Sequence, residues 1–328
     1  MLNRTHILKI AVLLTGIFCI GISYAQKPPL QTIILDPGHG GADPGAGGEY
    51  STEAQCALAI SFKVRDLLKQ EMPEVKVLMT REKDELPGGG HNKDAALKYR
   101  SNFANQNNGD LFLCIHLNST NIRYGKKFEG YRTETYYVTT GRGRKKKKVA
   151  KTREVAVYSR YKLPHEDQAH GTQTYIWAAD KSTNKVSAVK NTQGSVGGEG
   201  EESDSAFQAE LNSVEYKIRM GQYTKYFFRK SFNLATFVEE EFGKAGRKSW
   251  GVMQRNEKGI WVLQATGMPS ILVETGFISD REEEDYLNSE KGQMEVATNV
   301  VTAVKRYKEM LEANMKHAVA VPVGGQTQ

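Results

Sequence analysis

One stretch decides the fold: Gln31-Thr-Ile-Ile-Leu-Asp-Pro-Gly-His-Gly-Gly-Ala-Asp-Pro-Gly-Ala46. Its apolar start, Thr32 to Leu35, is typical of a buried strand. Asp36 and His39 follow directly, within a run of glycines. In an open parallel sheet, ligands bind where the strands end at their carboxyl edge. The stretch therefore predicts a buried strand whose polar end faces a ligand.

Outward from this stretch, apolar runs alternate with helical patterns. The pattern predicts strands over residues 75–80, 111–115, 130–139 and 270–273. A helix over residues 52–70 is indicated by an apolar stripe and by a capping box of Thr52 and Gln55. A second helix over residues 93–107 would bury Ala96, Tyr99 and Phe103. A helix begins near Arg281, and a closing helix ends near residue 315.

This order predicts an α/β fold: a single domain with a twisted, mostly parallel central sheet flanked by helices, plus a long insertion. The insertion covers residues 141–230, where the alternation stops. It holds a basic run, residues 142–148, and an acidic, glycine-rich stretch, residues 194–204. A separate small domain is the alternative. A basic run is usually a solvated loop. The alternative is that it contacts an anionic surface.

Residues 1–25 resemble a secretory signal peptide, with Arg4 and Lys9 before an apolar run and small residues at Ser23 and Ala25. A retained anchor is the alternative. We expect a catalytic domain over residues 26–317, a disordered tail over residues 318–328, and a periplasmic location in the cell envelope. No second apolar stretch approaches membrane length, so no transmembrane span is expected in the mature chain.

Charge and cysteine content exclude other classes. The formal net charge is +7, and loss of Arg4 and Lys9 lowers it by two to +5. No stretch resembles a nucleic-acid-binding motif, so no nucleic-acid partner is expected. Cys56 and Cys114 could pair in an exported protein. We expect both instead to be small core residues, which excludes a disulfide scaffold.

Three strand ends share one pattern, an apolar run followed by a polar, metal-capable residue. His39 follows the first strand, His116 ends the third, and Glu274 ends the last. At the carboxyl edge of one sheet, all three would meet. Two imidazoles and one carboxylate form a catalytic zinc set with an open position for water. The carboxylate ligand is Glu53, at the start of the first helix, or Glu49, in the loop before it.

Glu274 does not need to bind the metal, and a free carboxylate can carry the protons of amide hydrolysis. We therefore predict Glu274 as the catalytic acid/base. The glycines of residues 38–48 could also suggest a phosphate cradle. Asp36, Asp43 and Glu49 would repel phosphate, and no Lys-Ser/Thr pair follows, so we reject that interpretation.

These motifs resemble the type-3 family of zinc-dependent N-acetylmuramoyl-L-alanine amidases. The resemblance spans residues 31–315 except the insertion, and its pieces are residues 34–46, 79–81, 99–105, 115–118 and 268–279 and the helix opened by Glu53. It implies that Zn²⁺ is held by His39, Glu53 and His116, with Glu274 as acid/base. It also implies a peptidoglycan substrate, cut between N-acetylmuramic acid and L-alanine. The spacing to Leu58 favours Glu53 over Glu49.

Some relatives carry an insertion here that blocks the active site until a partner removes it. The resemblance thus suggests an activator protein that acts on residues 141–230. From the residues themselves, we predict a short helix over residues 149–157. Its Glu154 could occupy the open position of the zinc ion and inhibit the enzyme. The stretch of residues 199–210 offers alternative carboxylates, and a loop without a regulatory role is the other interpretation.

The sequence departs from the family pattern at two positions, and two other functions could fit the same residues. Cys114 and Leu117 stand where the family often has serine and alanine, which bears on substrate fit. A carboxypeptidase-like zinc enzyme could use the same set, with Arg81 or Arg255 gripping a terminal carboxylate. A wall-binding regulator without activity would lack at least one key residue, and all four are present.

Overall fold

The computed structural model describes residues 28–90, 92–165, 168–178, 185, 214–256 and 259–320. Its strands are β1 (Thr32–Pro37), β2 (Lys76–Met79), β3 (Leu111–Asn118), β4 (Tyr124–Thr140), β5 (Lys147–Lys162), β6 (Thr172–Ile176), β7 (Ser249–Gln254) and β8 (Ser270–Phe277). Its helices are α1 (Glu53–Glu71), α2 (Lys93–Gln106), α3 (Val214–Lys244), α4 (Trp261–Ala265), α5 (Arg281–Asn288) and α6 (Glu290–Ala320), with a 3₁₀ turn at Gly143–Lys145. The chain divides into residues 30–310 and a second unit of residues 1–29 and 311–328. The fold and site below belong to residues 30–310.

Six strands form the central sheet in the order β2-β1-β3-β8-β6-β7. β2, β1, β3 and β8 run parallel to one another. β6 pairs with β8 in the antiparallel direction, and β7 runs parallel to β6. The prediction of a mostly parallel sheet flanked by helices is confirmed.

The inner strands are buried on both faces, which explains their continuous apolar sequences. Residues 33–35 of β1, 111–115 of β3 and 271–273 of β8 are all buried. On one face, Ile34, Phe112 and Leu272 pack in a cluster with residues of α2 and α4 and with two phenylalanines of α3. α1 packs against β1, β2 and β3. Helices therefore shield the sheet and leave its strand ends open.

The first two helices begin where the sequence predicts. Thr52 caps α1, and its hydroxyl accepts from the backbone N–H of Gln55 while the Gln55 side chain accepts from the backbone N–H of Thr52. The α2 helix begins at Lys93 and ends at Gln106. Its predicted buried stripe is partly wrong, because Tyr99 is 38% exposed while Arg100 is buried. The helix turns Arg100 inward to reach the loop that follows β1.

The predicted insertion needs the largest correction. β6 lies within residues 141–230 but belongs to the central sheet, and α3 begins at Val214. The predicted helix over residues 149–157 is wrong, since these residues lie in β5. The strand predicted over residues 130–139 extends over the whole of β4, which pairs with β5 in a separate two-stranded ribbon. Valine and threonine alternate with charged residues here, a pattern that suits a strand.

Several predictions concern the cysteines and the chain ends. Cys56 and Cys114 are free and buried, as predicted for core residues. The predicted signal peptide and the stretch of residues 199–210 lie outside the described residues. The last helix continues to Ala320, three residues into the predicted tail, and residues 321–328 are outside the described part. None of the described helices carries an apolar stretch long enough to cross a membrane.

Candidate functional site

The three strand ends meet as predicted at one edge of the sheet. β1, β3 and β8 are parallel neighbours, so their carboxyl ends share that edge. His116 of β3 and Glu274 of β8 lie directly opposite each other in the pairing register. The β3–β8 register shifts between His116 and Asn118, which places a β-bulge next to the site. Parallel pairing thus brings together residues that lie 158 positions apart.

His39, Glu53 and His116 form a cluster that could hold a metal ion. One donor atom from each lies within 4.8 Å of the others. Glu53 Oε1 is 3.1 Å from His39 Nε2 and 2.8 Å from His116 Nδ1. The two imidazole rings stand edge to face with centroids 5.0 Å apart. Among the described residues, this is the one group of three histidines, cysteines or carboxylates with such convergence.

The glycine-rich loop fits closely around these side chains. His39 itself has a φ of 56°, a left-handed conformation that is uncommon for a residue with a side chain. A Cβ at Gly45 would lie 2.6 Å from Glu53 Oε2, and one at Gly38 would lie 2.5 Å from the His116 ring. Strained backbone of this kind persists where the surroundings hold it, and it clusters at functional sites.

A buried network of charges holds the loop after β1. The Asp36 carboxylate pairs with Arg100 and accepts from Thr80. Arg100 also donates to the carbonyls of Pro37 (2.7 Å) and His39 (2.6 Å). Arg81 donates to the carbonyls of Pro37, Gly38, Lys83 and Ala54. These bonds fix the backbone on both sides of His39. Sequence reasoning missed this role because the partners of Arg81 and Arg100 lie far from them in the chain.

The structure separates the two candidate glutamates. Glu53 is 5% exposed, and its second oxygen accepts from the backbone N–H of Ala46 at 2.9 Å. Burial opposes the charged form of Glu53, but hydrogen bonds from His116 and His39 outweigh it and hold its pKa well below the usual range. Glu49 instead lies in the exposed loop, where Arg281 binds it at 2.7 Å. Glu53, not Glu49, therefore lies between the histidines.

Asp43 orients the ring of His39 from the side opposite Glu53. His39 Nδ1 lies 2.9 Å from Asp43 Oδ2, and Lys93 binds the other oxygen of Asp43 at 2.6 Å. Burial opposes the protonated ring, yet the charges of Glu53 and Asp43 prevail and raise the pKa of His39. Histidines that bind metals almost always donate their second ring N–H to such a partner. Sequence reasoning treated Asp43 only as a negative charge in the loop.

Glu274 is the buried carboxylate next to the cluster. It is 9% exposed, and its Oε2 atom has no hydrogen-bond partner in the described part of the chain. Burial raises its pKa to about 7, against a smaller opposing effect from the His116 ring. A carboxyl group with a pKa near neutrality can both take up and release a proton at pH 7. Glu274 differs in this respect from Glu53, whose pKa is lowered rather than raised.

A cavity of about 200 Å³ opens beside the cluster. Asp36, His39 and His116 line one side of it, and Leu86, Leu97 and Val262 are among the residues of its apolar wall. The cavity therefore offers a small apolar group a place next to the metal-capable residues.

The loop before Glu53 is held from the far end of the chain. The buried Glu284 carboxylate of α5 accepts from the consecutive backbone N–H groups of Glu49 (2.7 Å), Tyr50 (3.0 Å) and Ser51 (2.8 Å). It also accepts from the Ser51 hydroxyl at 2.8 Å. Consecutive N–H groups that point at one anion form a strong binding nest. Burial opposes the charge, but these bonds lower the pKa of Glu284.

Three further predicted residues fall outside the cluster. Glu154 lies on β5 opposite Thr133 and is exposed, and no described contact joins it to the histidines. Arg81 is buried under the loop and committed to backbone carbonyls, so it cannot grip a substrate carboxylate. Arg255 is exposed, 5.4 Å from the Tyr175 ring, and its charge is felt at Glu274.

Known amidases are similar to this chain in sequence. The chain is 28% identical over 286 residues to the N-acetylmuramoyl-L-alanine amidase AmiC of Escherichia coli O6:H1, a match that covers 84% of this chain and 52% of that relative. The chain thus spans about half the length of that relative.

Solved structures share the fold. An N-acetylmuramoyl-L-alanine amidase from Clostridium difficile 630 aligns with a TM-score of 0.50 at 20% identity, over 86% of this chain and 98% of that one. The CwlD amidase from Clostridioides difficile, solved in complex with the GerS lipoprotein, aligns with a TM-score of 0.52 at 21% identity, over 85% and 99%. The family model described as N-acetylmuramoyl-L-alanine amidase matches residues 33–306. The chain therefore belongs to the type-3 N-acetylmuramoyl-L-alanine amidase family.

Proposed function

We propose that this protein is a zinc-dependent peptidoglycan amidase that hydrolyses the bond between N-acetylmuramic acid and the L-alanine of the stem peptide. The observation that carries the proposal is the convergence of His39, Glu53 and His116 next to the buried Glu274. Family membership supports the same reaction.

The residues of the cluster fit a zinc ion. Two imidazole nitrogens and one carboxylate oxygen are a known catalytic zinc set, which leaves a position for water or substrate. His39 has the second partner, Asp43, that metal-binding histidines usually have. When bound, zinc lowers the pKa of water and polarises a carbonyl group. His39, Glu53 and His116 would hold it.

Glu274 would move the protons. Its ionised form takes a proton from the attacking water, and its protonated form gives that proton to the nitrogen of the departing alanine. Burial raises its pKa towards neutrality, and a carboxyl group shifted in this direction can serve in both its ionised and its protonated form.

Location and partners follow from the same proposal. We propose export and action in the cell envelope, on the basis of the signal-like residues 1–25 and of the substrate. That the similar CwlD amidase was solved with a lipoprotein supports the hypothesis of an activator protein for this chain as well. The predicted inhibitory ligand Glu154 receives no support from the geometry of β5, so we do not assign it that role.

Digestion of purified sacculi tests the proposal. Whole stem peptides and free muramic lactyl groups, identified by mass, are the expected products. Shortened stems would indicate a peptidase instead, with Arg255 as the residue to examine. The variant His116→Ala should lose both metal and activity. Glu49→Gln is the control, since Glu49 lies in the loop just before Glu53 but outside the cluster. A fully active preparation without a transition metal would refute zinc dependence.

A further inference from the structure

The ribbon of β4 and β5 is the largest feature that the proposed reaction does not use. Its strands are 17 and 16 residues long, so the ribbon reaches about 50 Å at roughly 3.3 Å per residue. It pairs with none of the other described strands, and most of its residues are exposed. An isolated two-stranded ribbon has little stability of its own. Its length is therefore better explained by a ligand than by folding.

Aromatic side chains are concentrated on one face of this ribbon. Opposed residues of an antiparallel pair share a face, and so do residues two positions apart. The pairs Tyr131–Ala156 and Phe128–Tyr158 therefore lie on one face, together with Tyr124 and Tyr137. We call this set the aromatic face: Tyr124, Phe128, Tyr131, Tyr137 and Tyr158. All five rings are exposed, and Tyr131 and Tyr137 are each 69% exposed.

Three rings of the aromatic face, those of Phe128, Tyr131 and Tyr158, form an edge-to-face cluster that we call the platform. The Phe128 ring lies 5.2 Å from that of Tyr131 and 5.6 Å from that of Tyr158. Arg160 stacks over Tyr124 at 4.6 Å. The opposite face carries two exposed rings, Tyr136 and Tyr161. The two faces thus differ in aromatic content within one element.

The ribbon is also strongly basic. From Tyr124 to Lys162 the sequence has thirteen Lys and Arg residues against three Glu residues. Positive charge of this density attracts a polyanion. Trp, Phe and Leu are the side chains with which a protein enters a lipid surface. The aromatic face has one of them, Phe128, and is otherwise mainly tyrosine, threonine and charged residues. Hydroxyl-bearing rings and cations suit a polar, acidic ligand that has flat apolar faces.

The base of the ribbon lies beside the candidate active site. β4 begins six residues after β3 ends, and β3 carries His116. At this base, the Gln168 side chain forms hydrogen bonds with Arg123, just before β4, and with Leu163, just after β5. Lys162 lies 3.7 Å from Glu49, in the loop that leads to Glu53. A polymer bound along the ribbon would therefore pass close to the metal-capable cluster.

We propose that the aromatic face binds an acidic glycan strand. The C–H faces of the sugar rings stack on the aromatic rings, and the Lys and Arg side chains pair with carboxylates on the glycan. The choice of glycan rests on the proposed function, because hydrolysis of the muramoyl amide bond leaves a free carboxylate on every second sugar. The ribbon then keeps the protein on the glycan strand from which it has just released stem peptides.

The test measures binding of the full chain to denuded glycan strands, prepared with an unrelated muramoyl amidase. The triple variant Phe128→Ser, Tyr131→Ser, Tyr158→Ser removes the platform. Its dissociation constant should rise at least about tenfold, because three ring contacts with the sugar are lost together. The matched control Tyr136→Ser, Tyr161→Ser changes the opposite face and should shift binding less than about twofold. Equal losses in both variants, or no loss in either, would overturn the proposal.

Three further measurements separate the alternatives. The single variant Tyr137→Ser, at a ring that is 69% exposed, should weaken binding by about threefold. It still tests the proposal if the triple variant fails to fold. Binding to phosphatidylglycerol vesicles is measured as well. If the triple variant binds vesicles more weakly but binds glycan as the wild type does, the aromatic face is a membrane-binding surface and the proposal is refuted. Turnover of a soluble muramoyl peptide should be equal in all variants. Glycan binding without any turnover would refute the proposed function alone.

Discussion

The change Glu284→Gln tests how the site loop is held. Glu284 is completely buried, and its two oxygens accept four hydrogen bonds from residues 49–51. Oε1 accepts three of them, and Oε2 accepts the N–H of Glu49 at 2.7 Å. A glutamine can keep its carbonyl oxygen at the Oε1 position. Its NH₂ group would then face the N–H of Glu49, where two donors cannot bond.

The loss of stability in Glu284→Gln follows from this geometry. One charge-assisted hydrogen bond is lost and a buried donor is left unpaired, while the other three bonds lose the help of the charge. A hydrogen bond to a charged group contributes about 1.5–3 kcal/mol, so the variant should lose about 3 kcal/mol of unfolding free energy. For a domain of this size, that lowers Tm by about 6–12 °C.

Thermal unfolding at several pH values checks the prediction. The pKa of Glu284 is lowered in the folded state, so its stabilisation is present above the unfolded pKa of roughly 4.3 and is lost as the pH falls through the folded value. The gap in Tm between wild type and variant should therefore be full at pH 7 and shrink below about pH 4. The control Glu282→Gln, on an exposed position of the same turn, should shift Tm by less than about 2 °C. A Tm for Glu284→Gln within about 2 °C of the wild-type value at pH 7 would refute the proposed role of the nest.

Three other changes address the chemistry and the insertion. Glu274→Gln should keep its metal and fold but lose about 10²–10⁴ in kcat on sacculi, because the proton carrier is gone; a twofold loss would contradict the assignment. Glu53→Gln should lose metal by elemental analysis while Glu49→Gln retains it, and equal metal contents would mean that the ligand is misassigned. Replacing residues 188–211 with a Gly/Ser segment of equal length should raise activity on sacculi if that segment restrains the enzyme, and an unchanged or lower rate would rule restraint out. This replacement spares β6, which a deletion over residues 142–224 would remove from the sheet.

The sequence predicts the parts of the site that lie at strand ends. An apolar run followed by a polar residue is a local signal, and in a parallel sheet it fixes both the strand and the edge where its last residue lies. His39, His116 and Glu274 were each found in this way. The residues alone left Glu53 and Glu49 as alternatives, and Glu53 was preferred only through the family resemblance and its spacing to Leu58. The geometry brings His39 and His116 together with Glu53 as predicted.

The missed features depend on contacts between distant parts of the chain. Nothing local indicates that Arg100 faces inward or that Glu284 binds a loop more than 230 positions away. β6 was missed because Thr172–Ile176 is short and polar at its start, and its antiparallel pairing with β8 breaks the alternation that guided the prediction. The error at residues 149–157 came from weighing helix-forming residues above the two-residue alternation of Val155 and Val157.

The position of β8 has a consequence for how the protein matures. β8 is the last of the described strands, yet it lies in the middle of the sheet between β3 and β6. A ribosome-bound or truncated chain that ends before residue 270 carries both histidines but cannot join the two halves of its sheet. Because Glu274 arrives on that same strand, we expect the proposed amidase activity to arise only once β8 has been made and the sheet has closed.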